Sequence, residues 1–384
     1  MSVLRLNTLG TRWEVDLSRM PEPVAENLRR LWRDAGDWTP DRSEPAGFPR
    51  RLAALPYGSP DGVVEGAERI FLPSDADSAP YAFSGELTRR AIAAQAGRLT
   101  MLHAAALALP ETGATLLLVA PSGTGKTTAA TRLGRELNYL TDETAAVRDD
   151  LSIVPHPKPL SIVGQGGKHE RSPADLGLLP PRPDAWVAGL VILERAPGAP
   201  AQRIGVIDAI IDVIPQSSSL PAQAAPFGTL MAVLSAGRGV SKLMYGEIDD
   251  AVPIVLDLLR SAHRGAAVDL GVDRLAPPPD RAGQPWLGHH GTEDLDLSPA
   301  GLVRRAPWVD ALREEDEVLV LNGPRPIRLL GLGSTIWLAA EEPVSLADLT
   351  ALIVDTHGEH PQSDHLIAEA VRALADQGLL VAAD

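Results

Sequence analysis

Apolar positions fall along this chain in two kinds of run. The continuous ones, "ATLLLV" at 114–119 and "AWVAGLVILER" at 185–195, suit strands buried on both faces of a sheet. The periodic ones, "PEPVAENLRRLWRDAG" (21–36), "KTTAATRLGRELN" (126–138), "IDAIIDVIPQ" (207–216) and "DDAVPIVLDLLRSAH" (249–263), have helical spacing. "GELTRRAIAAQAGRLTMLHAAALAL" (85–109) reads as a helix and then a strand, with His103 near the strand's start. "YLTDETAAV" (139–147) is strand-like, and "KLMYGEID" (242–249) reads as a strand and turn. Strand, glycine turn, helix and strand over 114–147 make a βαβ-like unit, in which the second strand is expected beside the first.

Punctuation by Pro and Gly divides the chain. Residues 1–95 mix short strand-like runs with one helix and predict a partly β, irregular α+β lobe. Residues 96–263 carry the βαβ-like core. Within them "PHPKPLSIVGQGGKHERS" (155–172) reads as a loop. Residues 264–306 contain "RLAPPPDRAGQPWLGHHGTEDLDLSPAG" and read as a linker. Residues 307–384 read as a separate small module: a hairpin ("EVLVLNGPRPIRLLG"), three helices ("GSTIWLAA", "SLADLTALIVDTHG", "SDHLIAEAVRALADQG") and a closing strand ("LLVAAD").

Composition narrows the function classes. The formal net charge of −15 works against sequence-independent nucleic-acid binding and against an anionic membrane surface. The chain has no cysteine, which removes disulfides, Cys-zinc sites and thiolate catalysis, and fits a cytoplasmic protein. No signal-peptide core and no run of about 20 apolar residues is present, so no membrane association is expected. Only four lysines occur, Lys126, Lys158, Lys168 and Lys242, which makes each worth placing.

"APSGTGKT" (120–127) matches the P-loop pattern with Ala in the first Gly position. Gly123 and Gly125 allow the backbone to curl so that the N–H groups of Ser122, Gly123, Thr124, Gly125, Lys126, Thr127 and Thr128 surround phosphate oxygens. The following helix adds its positive N-terminal end. Lys126 is expected to reach the terminal phosphates of ATP, and Thr127 to offer its hydroxyl to Mg²⁺.

Asp142 and Glu143 follow at the end of the next strand, where parallel sheets gather their ligands. Asp142 is the candidate base for an attacking hydroxyl, and Glu143 a candidate metal carboxylate beside Thr127. An exposed acidic strand end is the plain alternative. Glu194, closing "GLVILE", competes for the metal, and the sequence does not separate the two. Lys158, fixed between two prolines, is a candidate electrophilic clamp; Lys168 reads rather as a solvated lysine. His289 and His290 are too isolated in their Pro/Gly segment to make a metal site.

His103 in "LHAAAL", "APSGTGKTT", "YLTDETAAV" and "PHPKPLSI" occur in the order found in the catalytic domain of HPr kinase/phosphorylase. The chain resembles that family over about residues 95–262, and more closely its HPr-kinase-like members associated with ribosomally made peptides, including lasso-peptide kinases. The resemblance implies an α/β P-loop core of HPr kinase C-terminal/PEP carboxykinase-like fold and ATP- and Mg²⁺-dependent phosphoryl transfer. It places Asp142 as base and His103 near the phosphates, although a satisfied core histidine is an equal reading of His103. The Glu-Ile-Arg-Gly-like second signature of true HPr kinases is missing, which argues against HPr as substrate. "GRGVSKLMYG" is similar to a family segment before the final helix and raises Arg238 as a phosphate contact, against an exposed loop arginine.

Residues 307–384, with the "GSTIW" helix start and "ALADQGLLV", resemble the PqqD-like winged-helix fold, whose members bind leader peptides of ribosomal peptide precursors. The combined resemblance implies a kinase of a Ser or Thr hydroxyl on a precursor peptide recruited by the C-terminal module. A kinase of a small hydroxylated metabolite and a non-catalytic, nucleotide-dependent peptide-binding regulator are the alternatives. Related kinases form oligomers, which leaves a homo-oligomer open; no interface is readable here.

Overall fold

The computed structural model describes residues 2–36, 49–60, 64–164, 167–196, 201–277 and 295–383. His289 and His290 lie outside the described residues, as does the segment 278–294 of the expected linker. The chain is a mixed α/β protein that divides into two compact units. The first comprises Met1–Gly205, Asp212–Gln223 and Ala232–Asp269; the second comprises Val206–Ile211, Ala224–Met231 and Leu270–Asp384.

Within the first unit, the N-terminal region is more regular than its short runs suggested. Val3–Thr8, Thr11–Asp16, Arg50–Pro56 and Glu68–Leu72 form one four-stranded sheet in that order. Residues along Thr11–Asp16 alternate between buried and half-buried, the pattern of a strand covered on one face. Helices Glu22–Leu31 and Ala79–Gln95 join this core, which buries Trp13, Trp32 and Phe83 and also takes in Met101, Ala146 and Val154. The second and third strands pair in parallel across a long connection, a pairing that short local patterns do not reveal.

The six-stranded sheet positions the site. Its elements are β1 (Ala104–Ala108), β2 (Ala114–Val119), α1 (Lys126–Leu133), β3 (Asn138–Thr141), β4 (Trp186–Arg195), β5 (Gln202–Arg203), β6 (Val240–Tyr245) and α2 (Ile248–Arg260). The strand order is β5-β6-β4-β2-β1-β3. β2, β4 and β6 run parallel, and β2 is buried at every position, as its unbroken apolar run requires.

The expected adjacency of β3 and β2 is corrected: β1 lies between them, antiparallel to both. Its small residues, "AAALA", are buried throughout and let it fit beneath α1. Two antiparallel steps restore direction, so β3 still runs parallel to β2. Its C-terminal end therefore arrives at the same edge of the sheet as the P-loop.

A second four-stranded sheet, of Ile153–Val154, Ala145–Val147, Thr100–Leu102 and Ser217–Ser218, begins where the first ends. Ala106 pairs with Thr141 in one sheet, and Leu102 pairs with Ala145 in the other. Two neighbouring chain segments thus change sheets together, and His103, Asp142 and Glu143 occupy the crossing. The expected loop 155–172 is instead largely a β-hairpin, Leu160–Gly164 with Gly167–Arg171. Its Pro and Gly content marks the entry and tip rather than an absence of strands.

In the second unit, Asp273–Arg274, Asp310–Glu314, Glu317–Asn322 and Arg325–Leu329 form one sheet, and Val344–Ser345, Leu302–Arg305 and Leu380–Ala382 another. Helices Leu332–Ala339, Leu346–His357 and Ser363–Asp376 match the three read from the sequence. Trp337 is fully buried, with the Arg305 guanidinium 4.1 Å from its ring centroid. The Asp310 carboxylate is fully buried and accepts hydrogen bonds from Arg274 Nε at 2.8 Å and from the Phe227 N–H at 2.9 Å.

Candidate functional site

The P-loop turn closes on two glycines in the left-handed region, Gly123 at φ +85° and Gly125 at φ +104°. Any side chain at Gly125 would be strained there, and a Cβ would also approach Tyr245 Oη to 3.1 Å. The Tyr245 hydroxyl donates to the Thr124 carbonyl at 2.9 Å and so ties the end of β6 to the loop. Gly125 caps α1, whose first N–H groups lack partners within the helix and face the turn. Ser122, Gly123 and Thr128 are exposed, and Thr124, Gly125 and Thr127 half-buried.

Lys126 is buried and folds back on its own loop, donating to the carbonyls of Ala120 and of Pro121 (3.1 Å for the latter). Burial lowers its pKa, while Asp142 and Glu143 act in the opposite direction. A phosphate on the loop would replace those carbonyls as the acceptor.

Thr127 Oγ1 donates to Asp142 Oδ2 at 2.8 Å. The other carboxylate oxygen, Oδ1, accepts from the Tyr139 hydroxyl at 2.8 Å. Asp142 is buried, yet each oxygen keeps a lone pair beyond these bonds. Because the Thr127 hydroxyl gives its hydrogen to Asp142, its own lone pairs remain for a cation.

Lys158 is buried and lies 3.0 Å from Glu143 Oε2 and 3.9 Å from Asp142 Oδ1. It also donates to the Pro159 carbonyl at 2.9 Å. Burial opposes its charge, but Asp142, Glu143 and Glu170 together raise its pKa well above the ordinary lysine value. Burial raises the pKa of Glu143, but Lys158, His103 and Lys168 outweigh it and lower it overall. Glu143 is the more open carboxylate of the pair, with 40% of its side chain exposed against 4% for Asp142.

His103 sits at the sheet crossing, half-buried, its N–H donating to the Gln216 carbonyl at 2.6 Å. Burial and then the Lys126 charge lower its pKa, against Glu143 and Asp142. The imidazole is therefore held toward its neutral form beside the loop.

The structure brings together Thr127, Asp142, Glu143, Lys158, His103 and Lys126. Lys168 stands on the hairpin with its ammonium 5.7 Å from the Tyr81 ring centroid. Glu194 lies at the end of β4 and pairs with Lys242 at 2.7 Å. Arg238 precedes β6 at the opposite edge of the sheet, where its N–H donates to the Ala188 carbonyl at 2.8 Å.

Sequence reasoning missed three residues. Tyr139 carries no motif; only its place three residues before Asp142 connects the two. Glu170 was hidden in the supposed loop; it accepts from Ser161 and is held above the usual carboxylate range by burial. His156 is fully buried, its Nδ1 has no partner, and its Nε2 lies 3.5 Å from Thr88 Oγ1.

Burial, and then the Lys158 charge, lower the pKa of His156 to about 3. A histidine depressed in the folded state binds fewer protons there than when unfolded. Its contribution is complete above the unfolded value and is lost as pH falls toward the folded one. Unfolding free energy should therefore drop between about pH 6.5 and 3, by at most about 1.4 kcal/mol per pH unit from this group. Urea unfolding across that range should show a shallower decline in His156→Gln than in the parent chain.

No protein-family model and no curated protein matches the chain. Among solved structures, the HPr(Ser) kinase/phosphatase from Coxiella burnetii is similar at 13% identity, over 42% of this chain and 93% of that one, with a TM-score of 0.24. That likeness is too low to carry a family or an activity across. No helix among the described residues is long and apolar enough to cross a membrane.

Proposed function

We propose that this chain is an ATP- and Mg²⁺-dependent phosphotransferase acting on a hydroxyl group. The observation that carries the reading is the hydrogen bond between Thr127, at the start of the P-loop helix, and Asp142. It sets a carboxylate beside the place where the loop would hold a terminal phosphoryl group.

Thr127 with Asp142 and Glu143 offers a hydroxyl and carboxylates, the hard oxygen donors that Mg²⁺ takes along with phosphate oxygens and water. When bound, the ion would neutralise phosphate charge. The loop amides and Lys126 hold the phosphates. Asp142 receives the proton of the acceptor hydroxyl as its oxygen bonds to the terminal phosphorus and the bond to the ADP oxygen breaks. Lys158 lies against both carboxylates and lowers the pKa of Glu143.

In this reading the acceptor is a Ser or Thr of a ribosomally made precursor peptide, with its leader bound by a PqqD-like fold in residues 307–384. The support is the order of elements in that segment, a hairpin, three helices and a closing strand. The test is incubation of the full chain with ATP, Mg²⁺ and the precursor peptide encoded beside its gene. The expected product is a peptide heavier by one phosphoryl group. ATP consumption that leaves every such peptide unmodified would contradict the peptide reading and favour a small hydroxylated substrate.

The greater exposure of Glu143 favours one second reading, in which Glu143 is the base and Asp142 serves Thr127 and the metal. Glu143→Gln would then stop transfer while Asp142→Asn weakened Mg²⁺-dependent nucleotide binding.

A further inference from the structure

On the side of the P-loop away from Thr127 lies a cavity of about 360 Å³, within the size range of small-molecule sites. One wall is the first half of the loop, from Val119 to Thr124. The other is the end of β4 with Glu194 and Arg195, together with Asp212 and Lys242. Nothing in the phosphoryl-transfer chemistry uses these side chains.

The two ends of the loop differ in what they can hold. The Thr127 end meets Asp142 and Glu143, where the transferred phosphoryl group belongs. A phosphate chain laid across the loop must leave at the other end, and that end opens into this cavity. Val119, Ile192 and Leu193 give it apolar surface, and two carboxylates face the same space. Arg195 and Lys242 balance the two carboxylates, so the cavity has little net charge, and the carboxylate oxygens can accept hydrogen bonds from the hydroxyls of a neutral group. Glu194 is held beside Lys242 and is half-exposed, which leaves it lone pairs for a ligand.

We infer that this cavity seats the nucleoside end of the nucleotide, with Glu194 and Asp212 accepting hydrogen bonds from the ribose hydroxyls. The inference rests on the phosphate role of the P-loop proposed above. It makes the site selective for nucleotides with an intact ribose diol over bare polyphosphate.

Calorimetric titration of the full chain with ATP, 2′,3′-dideoxy-ATP and inorganic tripolyphosphate, each with Mg²⁺, tests it. ATP should bind about tenfold more tightly than the dideoxy analogue, the loss expected for hydrogen bonds to charged acceptors. The two nucleotides carry equal charge, so their ratio is insensitive to loss of the Glu194–Lys242 pair. In the double variant Glu194→Gln/Asp212→Asn that ratio should fall to near one, with tripolyphosphate binding kept. Equal binding of ATP and its dideoxy analogue by the parent chain, or a preference that survives in the double variant, overturns the inference and leaves the cradle standing. Failure of both ATP and tripolyphosphate to bind overturns the cradle, and the cavity's role with it. Should the double variant lose tripolyphosphate binding, its loop is disturbed and the parent chain's ratio decides.

Discussion

Asp142→Asn should bind ATP with nearly the parent affinity and transfer phosphate about 10²- to 10⁴-fold more slowly. The amide keeps the shape of the carboxylate and still offers one oxygen to Thr127 or Tyr139, so the site is not emptied. It no longer accepts a proton from an acceptor hydroxyl. Nucleotide affinity is governed by the loop amides and by Lys126, which bonds to the Ala120 and Pro121 carbonyls and not to Asp142. Rapid-quench transfer and equilibrium nucleotide binding, measured on the same preparation, separate the two effects. A variant that transfers phosphate at the parent rate removes Asp142 as the base.

Lys158→Met should lose about 1–3 kcal/mol of stability, less than a fully buried ion pair costs when broken from one side, because Glu143 is 40% exposed. The lysine is buried and faces Asp142 and Glu143, with Glu170 also within electrostatic reach. Methionine fills the volume of the stem and leaves the carboxylates without their cation. Urea denaturation at neutral pH reads the loss, and part of it should return as the pH is lowered and Glu143, whose pKa Lys158 lowers in the parent chain, protonates. A variant as stable as the parent chain would mean that solvent reaches this cluster and that Lys158 does not hold it together. The same substitution should also slow phosphoryl transfer, because the carboxylates no longer share a fixed counter-charge.

The strand–loop–helix of 114–133 was legible because its signals are local: an unbroken apolar run, glycines at the positions of positive φ, and helical spacing after them. The placing of Asp142 beside the loop was also legible, though by an incomplete argument. β3 was expected next to β2, and the intervening β1 was missed because strand neighbours are a property of the whole sheet. The prediction of direction survived only because two antiparallel steps cancel. Tyr139 and Glu170 could not be read, since nothing in spacing announces which buried polar groups meet across elements. The hairpin at 160–171 was obscured by the prolines before it and the glycines at its tip.

Phosphoryl transfer to a hydroxyl through Asp142 depends on where the terminal phosphoryl group rests. A crystal structure of the full chain with Mg²⁺ and a non-hydrolysable ATP analogue measures that directly. The terminal phosphate should lie over Lys126 with Asp142 within hydrogen-bond reach of the acceptor side, and Glu194 should remain paired with Lys242. A terminal phosphate directed at Glu194, with Asp142 still enclosed between Thr127 and Tyr139 and remote from it, would contradict the account.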